Sequence, residues 1–270
     1  MDNEIMSEKK IHREASAGDS AHSRVAAFLR DQLLSGQLKA GDCLLPEREL
    51  AAMLEVSRPV LREALRALAM IGAVEIRHGV GTVVTRPDVS TLGAFFSFML
   101  AHQSDALEDI MEARIAIEHH AVRLACQKAT EQDFARISAA LRRIMDTISD
   151  PEAGGVADYE FHEAIVQAAH SPTLASIYSS IRGLMMRSHL ERREQIMRLD
   201  GFEGFLVDHH RMILSALIER NLPLADELLT RHFEIGAEFR RKATMQATAI
   251  AAGLDLSSVD FSKQSASKNQ

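Results

Sequence analysis

The sequence predicts a mainly α protein of two domains: a small N-terminal one of three helices and a β-hairpin, then a larger all-α bundle. Three observations carry that expectation. The 270 residues are 46% apolar and 26% charged, with no Trp and 5% aromatics, a balance that supports a core and favours helix over sheet. Helical periodicity runs along nearly the whole chain and yields to alternation only between residues 74 and 85. The net charge of −7 is uneven: residues 20–86 hold nine Lys/Arg against seven Asp/Glu, whereas residues 87–270 hold nineteen against twenty-six.

Taken in order, residues 1–19 are polar and aperiodic and read as a disordered arm. A first helix starts between Ser20 and Ser23 and runs to Ser35, with Val25, Phe28, Leu29 and Leu33 on one face. Glu47 to Leu54 forms a second helix after Pro46. Ser57 caps a third, Arg58 to Ile71, which Gly72 stops. Val74–Arg77, the glycine-rich His78–Gly81 and Thr82–Thr85 then read as strand, turn and strand. Helices in this order with a hairpin behind them make a winged helix-turn-helix over 20–86. A linker at 87–92 leads to a helical domain over 93–246, with helices near 90–102, 105–129, 131–149, 156–169, 172–198, 203–220 and 223–246. Thr130 with Asp133 resembles a capping box, and Ser171-Pro172 a cap with Pro at the first helical position. Residues 247–270 read as a polar, disordered tail.

No apolar run approaches the ~20 residues of a membrane span, and the first twenty residues lack the apolar core of a secretory signal. Cys43 and Cys126 form neither a disulfide framework nor a CxxC site. A cytoplasmic setting is expected.

The third helix divides its faces. Leu61, Leu65 and Leu68 dock it, while Arg58, Arg62 and Arg66 (i, i+4, i+8) present guanidiniums that can pair with guanine edges or phosphates. A solvated arginine face is the plain alternative; Arg48 in the preceding helix and a glycine-rich hairpin carrying His78 favour DNA. The run LLPERELAAMLEVSRPVLREALRALAMIGAVEIRHGVGTVV, Leu44 to Val84, resembles the signature of the GntR family of bacterial transcription regulators. That resemblance implies DNA contacts by Arg48, Ser57, Arg58 and Arg62, with His78 and Gly79 at the wing tip. Leu45 stands where the family usually has Pro, and Glu55 where it usually has Gly.

In the C-terminal half, polar side chains fall on apolar faces. His162 is followed by Ile165, Val166 and Ala169 at +3, +4 and +7, with Asp158 four residues before it. His210 precedes Ile213, Leu214 and Leu217 at the same offsets, although His209 is nearly as well placed. His232 lies among Leu228, Leu229, Ile235 and Phe239. A single such histidine is more often a satisfied core residue. One carboxylate and three imidazoles together would leave several buried polar groups unpaired, and one divalent metal satisfies them all. Three nitrogens and an oxygen suit Zn²⁺ first, with Ni²⁺ or Mn²⁺ as alternatives. His119, His120, His170 and His189 have no acid at i±4 and read as structural or exposed. Arg114 shares a stripe with Leu107, Ile110, Met111, Ile117 and Ala121; it either bridges to Glu118 at i+4 or anchors an anionic ligand.

DYEFHEAI (Asp158 to Ile165), HRMILSAL (His210 to Leu217) and RHF (Arg231 to Phe233) resemble the FCD effector domain of the FadR-type branch of the GntR family. The resemblance implies Asp158, His162, His210 and His232 as metal ligands, choosing His210 over His209. It further implies a cavity where a small organic acid completes the coordination, with Arg114 at a position that meets the acid's carboxylate. The expected protein is therefore a homodimeric regulator on a pseudo-palindromic DNA operator, controlled by a hydroxy, keto or sugar acid. A metal-dependent enzyme acting on a small organic acid is the alternative, although it leaves the winged helix unexplained and no HExxH is present.

Overall fold

The computed structural model describes residues 21–86, 88–100, 102, 106–197 and 199–252. The expected arm over 1–19 and the last eighteen residues of the expected tail lie outside them. The chain divides into two compact units that meet at Phe95/Phe96.

The N-terminal unit holds α1 (residues 21–34), α2 (Glu47–Met53), α3 (Arg58–Met70), β1 (Val74–Arg77) and β2 (Gly81–Val84). Val25 and Leu29 of α1, Leu50 and Ala51 of α2, Leu61, Ala64 and Leu65 of α3, and Val74 and Val84 of the hairpin close one core. Apolar positions three and four apart face it from each helix, so burial rather than propensity fixes the three. The Ser57 hydroxyl accepts from the Val60 amide at 3.5 Å, and Gly72, at φ 72°, ends α3 in the left-handed conformation. β1 and β2 pair antiparallel from Val74↔Val84 to Arg77↔Gly81, leaving His78, Gly79 and Val80 as the turn. The hairpin also gains a third, short neighbour: Leu44 donates to Thr82 and Val84 donates to Asp42, with a bridge between Cys43 and Val83.

α4 (Val89–Leu100) begins inside the six residues expected to be a linker. The helical unit then comprises α5 (Ala106–Lys128), α6 (Glu131–Asp146), α7 (Pro151–Ala168), α8 (Pro172–Ser180), α9 (Arg182–Ile196), α10 (Phe202–Ile218) and α11 (Leu222–Ala251). α7 is the central element and packs on α5, α6, α8 and α9. Eleven of its eighteen residues are buried, which explains why a helix with little amphipathic contrast is stable there. The capping box of Thr130 and Asp133 is formed in full, whereas Ser171 makes no side-chain cap bond.

Three helix limits differ from expectation. α7 starts at Pro151, five residues early, because Asp150 accepts from the amides of Glu152 and Ala153. Gly154 and Gly155 lie within it. A Cβ at Gly154 would stand 2.3 Å from Cζ of Arg193, so the glycine is the space that this guanidinium fills. The single helix expected over 172–198 is two helices, broken at Ile181 (φ −94°, ψ 5°), with no proline or cap to announce it. α11 continues to Ala251, into the expected tail.

Candidate DNA-reading face and candidate metal centre

On α3, Arg58, Arg62 and Arg66 are exposed along one side, where with Pro59 and Glu63 they line a shallow hollow. Glu47 reaches across from α2: its Oε2 lies 2.7 Å from Arg62 Nε and 3.9 Å from Arg58 Nη2. Arg66 pairs with Glu63 at 2.7 Å. Such exposed pairs are worth less than ~1 kcal/mol each and exchange readily for phosphate. Arg48 is exposed on α2, and His78 and Gly79 are exposed at the hairpin tip, with Gly79 at φ 76°. Glu55, at the position where the family usually has Gly, has φ 54°, a left-handed conformation that costs a side chain about 1 kcal/mol.

The helical unit brings Asp158 and His162 of α7, His210 of α10 and His232 of α11 together, one candidate ligand atom of each lying within 4.8 Å of every other. All four are buried, His162 and His210 completely. Asp158 Oδ1 lies 2.9 Å from His210 Nε2 and 3.8 Å from His162 Nε2, and the two Nε2 atoms are 3.2 Å apart. Phe161 sets its edge against the His210 ring at 4.6 Å, which fixes the ring plane. His209, the alternative to His210, points elsewhere: it is half-buried beside Phe205.

Tautomers follow from the far side of each ring. His210 Nδ1 meets the Leu206 carbonyl at 2.5 Å, and a carbonyl only accepts, so Nδ1 donates. His162 Nδ1 meets Glu118 Oε2 at 2.5 Å. Burial opposes the charge on Glu118, yet Arg114 and His162 hold its pKa down at about 2, so it too accepts. Burial and then Arg114 lower the His162 pKa, keeping that ring neutral. With Nδ1 donating and the ring neutral, His162 turns a bare Nε2 lone pair toward the same point as His210 Nε2 and a carboxylate oxygen of Asp158. Asp158 Oδ1 and His232 Nδ1 are likewise buried without a hydrogen bond. Lone pairs facing one another repel unless a cation lies between them. Two nitrogens on a tetrahedral Zn²⁺ would stand about 3.3 Å apart, close to the separation here. The donor set fits a divalent transition metal.

Around these four lies a second layer that helical spacing did not reveal. Glu118 binds Arg114 Nε at 2.6 Å and the Tyr178 hydroxyl at 2.7 Å as well as His162. Arg114 thus makes the i+4 bridge, and it also borders a cavity with Nη2 buried and unpartnered. The i+4 bridge to Glu118 that the sequence offered is formed. His189 corrects its expected role: it is buried, and its Nδ1 lies 2.6 Å from Asp158 Oδ2. Burial, reinforced by Arg114, takes its pKa down to about 4, while burial would raise that of Asp158 but His189 holds it well below the usual range. Arg192 and Arg193 of α9 line the same cavity. A signal for His189 was available, since it recurs with Met185 and Ile196 at helical spacing. His119 and His170 find acids across the fold, Asp226 at 2.8 Å and Asp133 at 2.7 Å.

Comparison with known proteins gives these folds a context. The profile of bacterial regulatory proteins of the gntR family matches residues 21–84, and that of the FCD domain matches residues 109–235. An uncharacterized HTH-type transcriptional regulator of Bacillus subtilis, YcbG, is 35% identical over 190 residues, 70% of this chain and 76% of that protein. The HTH-type transcriptional regulator LutR of the same organism is 29% identical over 199 residues, 73% and 91% of the two chains. The Uxu operon transcriptional regulator of Escherichia coli is 28% identical over 232 residues, 82% and 87%. The structure of Streptococcus agalactiae GntR superposes with a TM-score of 0.60 at 24% identity, covering 82% of this chain and 99% of that one, and shares the fold. These relatives are regulators, and the metal-dependent enzyme is set aside on that ground. No helix among the described residues is long and apolar enough to cross a membrane.

Proposed function

This chain belongs to the gntR family of bacterial regulatory proteins and carries an FCD domain, and from that premise we propose that a small carboxylate at a metal centre in its helical unit sets its affinity for DNA. In this reading α3 enters the major groove, where Arg58 and Arg62 exchange Glu47 for base edges and phosphates. Arg48 and Ser57 hold the backbone beside it, and His78 and Gly79 approach from the wing. Two protomers present two such helices to a pseudo-palindromic operator.

In the helical unit Asp158, His162, His210 and His232 would hold the metal, with Zn²⁺ best suited to three imidazoles and a carboxylate. When bound, the ion supplies a Lewis-acid position for a carboxylate, hydroxyl or keto oxygen of a small acid. Glu118 and the Leu206 carbonyl orient His162 and His210, each by taking the Nδ1 proton. Arg114, with Nε on Glu118, offers its unpartnered Nη2 to the acid. The acid acts by binding more tightly to one arrangement of the protein than to another, and operator affinity shifts by that difference. The single observation behind the metal is the convergence of buried His162 Nε2 and His210 Nε2, 3.2 Å apart, beside the Asp158 carboxylate.

Fluorescence anisotropy with DNA from upstream of the chain's own gene tests the reading. Metal-loaded protein should bind it more tightly than scrambled DNA, weaken with salt, and respond to at least one hydroxy, keto or sugar acid. A regulator that binds its operator but ignores every acid of the panel, by anisotropy and by titration calorimetry, would remove the effector half of the proposal.

A further inference from the structure

The cavity beside the metal cluster has more positive charge than a single carboxylate can answer. Its walls include Arg114, Arg192 and Arg193, against Asp158 on the wall and Glu118 behind Arg114. One guanidinium is in excess before any metal is counted. Arg193 is largely accounted for: its Nη2 donates to the carbonyls of Ile148 at 3.0 Å and Thr147 at 3.4 Å, in the space left by Gly154, and only its Nε is buried without a hydrogen bond. Arg114 keeps Nη2 without a partner.

Arg192 is the larger anomaly. Among the described residues no carboxylate bonds to it, its Nη1 faces only Met111 Sδ, and its Nε is buried with no hydrogen bond. Burial, with the like charges of Arg114 and Arg240 nearby, pulls its pKa down to about 10, so it stays charged at neutral pH. Arg240 itself has Glu108 at 3.7 Å. Gly236 of α11 faces Arg192, a Cβ there lying 3.5 Å from Nη2, so backbone closes the cavity on that side without another side chain. Buried polar groups in native proteins are almost always satisfied, and the unbonded Arg114 Nη2 and Arg192 Nε on one cavity mark places where a ligand completes the structure.

We infer that the effector is a dianion, a small dicarboxylate whose two carboxylates are shared between Arg114 and Arg192. A monocarboxylate satisfies one guanidinium and leaves the other buried and unpaired. A second carboxylate answers it with a charge-assisted, two-pronged hydrogen bond. Arg192 is then a specificity-determining residue, selecting diacids over monoacids of the same length. This inference rests on the acid-binding reading above.

Calorimetry on the full-length, metal-loaded protein separates the two. Monoacid and diacid probes are matched by carbon number: lactate with tartronate, 2-hydroxybutyrate with malate, and 2-hydroxyvalerate with 2-hydroxyglutarate. At the length that binds best, the diacid should be favoured by roughly tenfold or more, the usual scale of a desolvated charge-assisted contact. Arg192→Gln should abolish that preference while changing monoacid affinity less than about threefold, and Arg192→Lys should retain part of it. Thermal stabilisation by each acid, read on the same variants, should follow the same order. Monoacids binding as well as diacids, or Arg192→Gln weakening both alike, overturns the dianion and leaves the acid-binding reading standing. Failure of every acid of both series overturns that reading, and the dianion with it.

Discussion

The exposed arginines of α3 and the buried arginines around α7 are chemically the same groups under opposite constraints. Arg58, Arg62 and Arg66 lie in water, with Glu47 and Glu63 as loose partners, and nothing in the fold depends on those pairs. Arg114, in contrast, is 1% exposed, as is its partner Glu118, and losing either would strand a charge in the interior. Exposed charge is available to a polyanion because it is hardly committed to the fold. Buried charge is committed, and an unmatched atom such as Arg114 Nη2 marks what the protein lacks until a ligand arrives.

The largest test of this contrast is removal of metal. With metal at a thousandfold excess over its dissociation constant, chelation should lower the stability of the helical unit by about 4 kcal/mol. The winged helix should show no matching loss in amide hydrogen exchange; equal loss in both units would break the distinction. Next, Glu118→Gln leaves Arg114 without its anion and gives His162 a neutral acceptor in place of a carboxylate. Stability should fall by about 3 kcal/mol and metal affinity by tenfold or more, by chemical denaturation and competitive chelation. On the exposed side, Arg62→Ala should cost about 1–3 kcal/mol of operator affinity while leaving both melting and metal stoichiometry as in the parent.

Two smaller effects sharpen the comparison. Asp133 caps α6 from a buried position. Burial would raise its pKa, yet Thr130, His170 and Arg136 hold it at about 2. A carboxylate held below its unfolded value stabilises the fold above that value, and the contribution disappears as the group protonates. The helical unit should therefore lose stability as pH falls from about 4 to about 2, and Asp133→Asn should flatten that part of the profile. Last, Glu55→Gly relieves the left-handed backbone at φ 54°. A gain of up to about 1 kcal/mol in the N-terminal unit is expected from denaturant melts, and a loss would mean that the carboxylate has a partner in solution.

What the sequence disclosed divides along the same boundary. The winged helix was legible almost to the residue, since caps, glycines and the arginine stripe act over three or four positions. His162 and His232 stood out among apolar neighbours on their own helices, Asp158 by lying four residues before His162, and His210 was separated from His209 only by the resemblance to the FCD domain. The bonds from Glu118 to His162, from His189 to Asp158 and from His170 to Asp133 join residues far apart in the chain, where helical spacing has no reach. Arg192 and Arg193 were hidden in the charged run ERREQ, which reads as a solvated face until α9 is seen packed on α7. The early start of α7 was masked by Gly154 and Gly155, the first of which makes room for Arg193.

The complete burial of His162 and His210 also governs time. An ion behind those rings could leave only when α7, α10 or α11 opened, which links its residence to local unfolding and to the slowest motions of the fold. An acid bound as proposed, on the side bordered by Arg114 and Arg192, would meet no such barrier built from ligating rings. The metal would be set once, as the chain folds, while the acid comes and goes on the scale of metabolism. A regulator made this way reports the acid from moment to moment and the metal only through how much of the protein was loaded at synthesis.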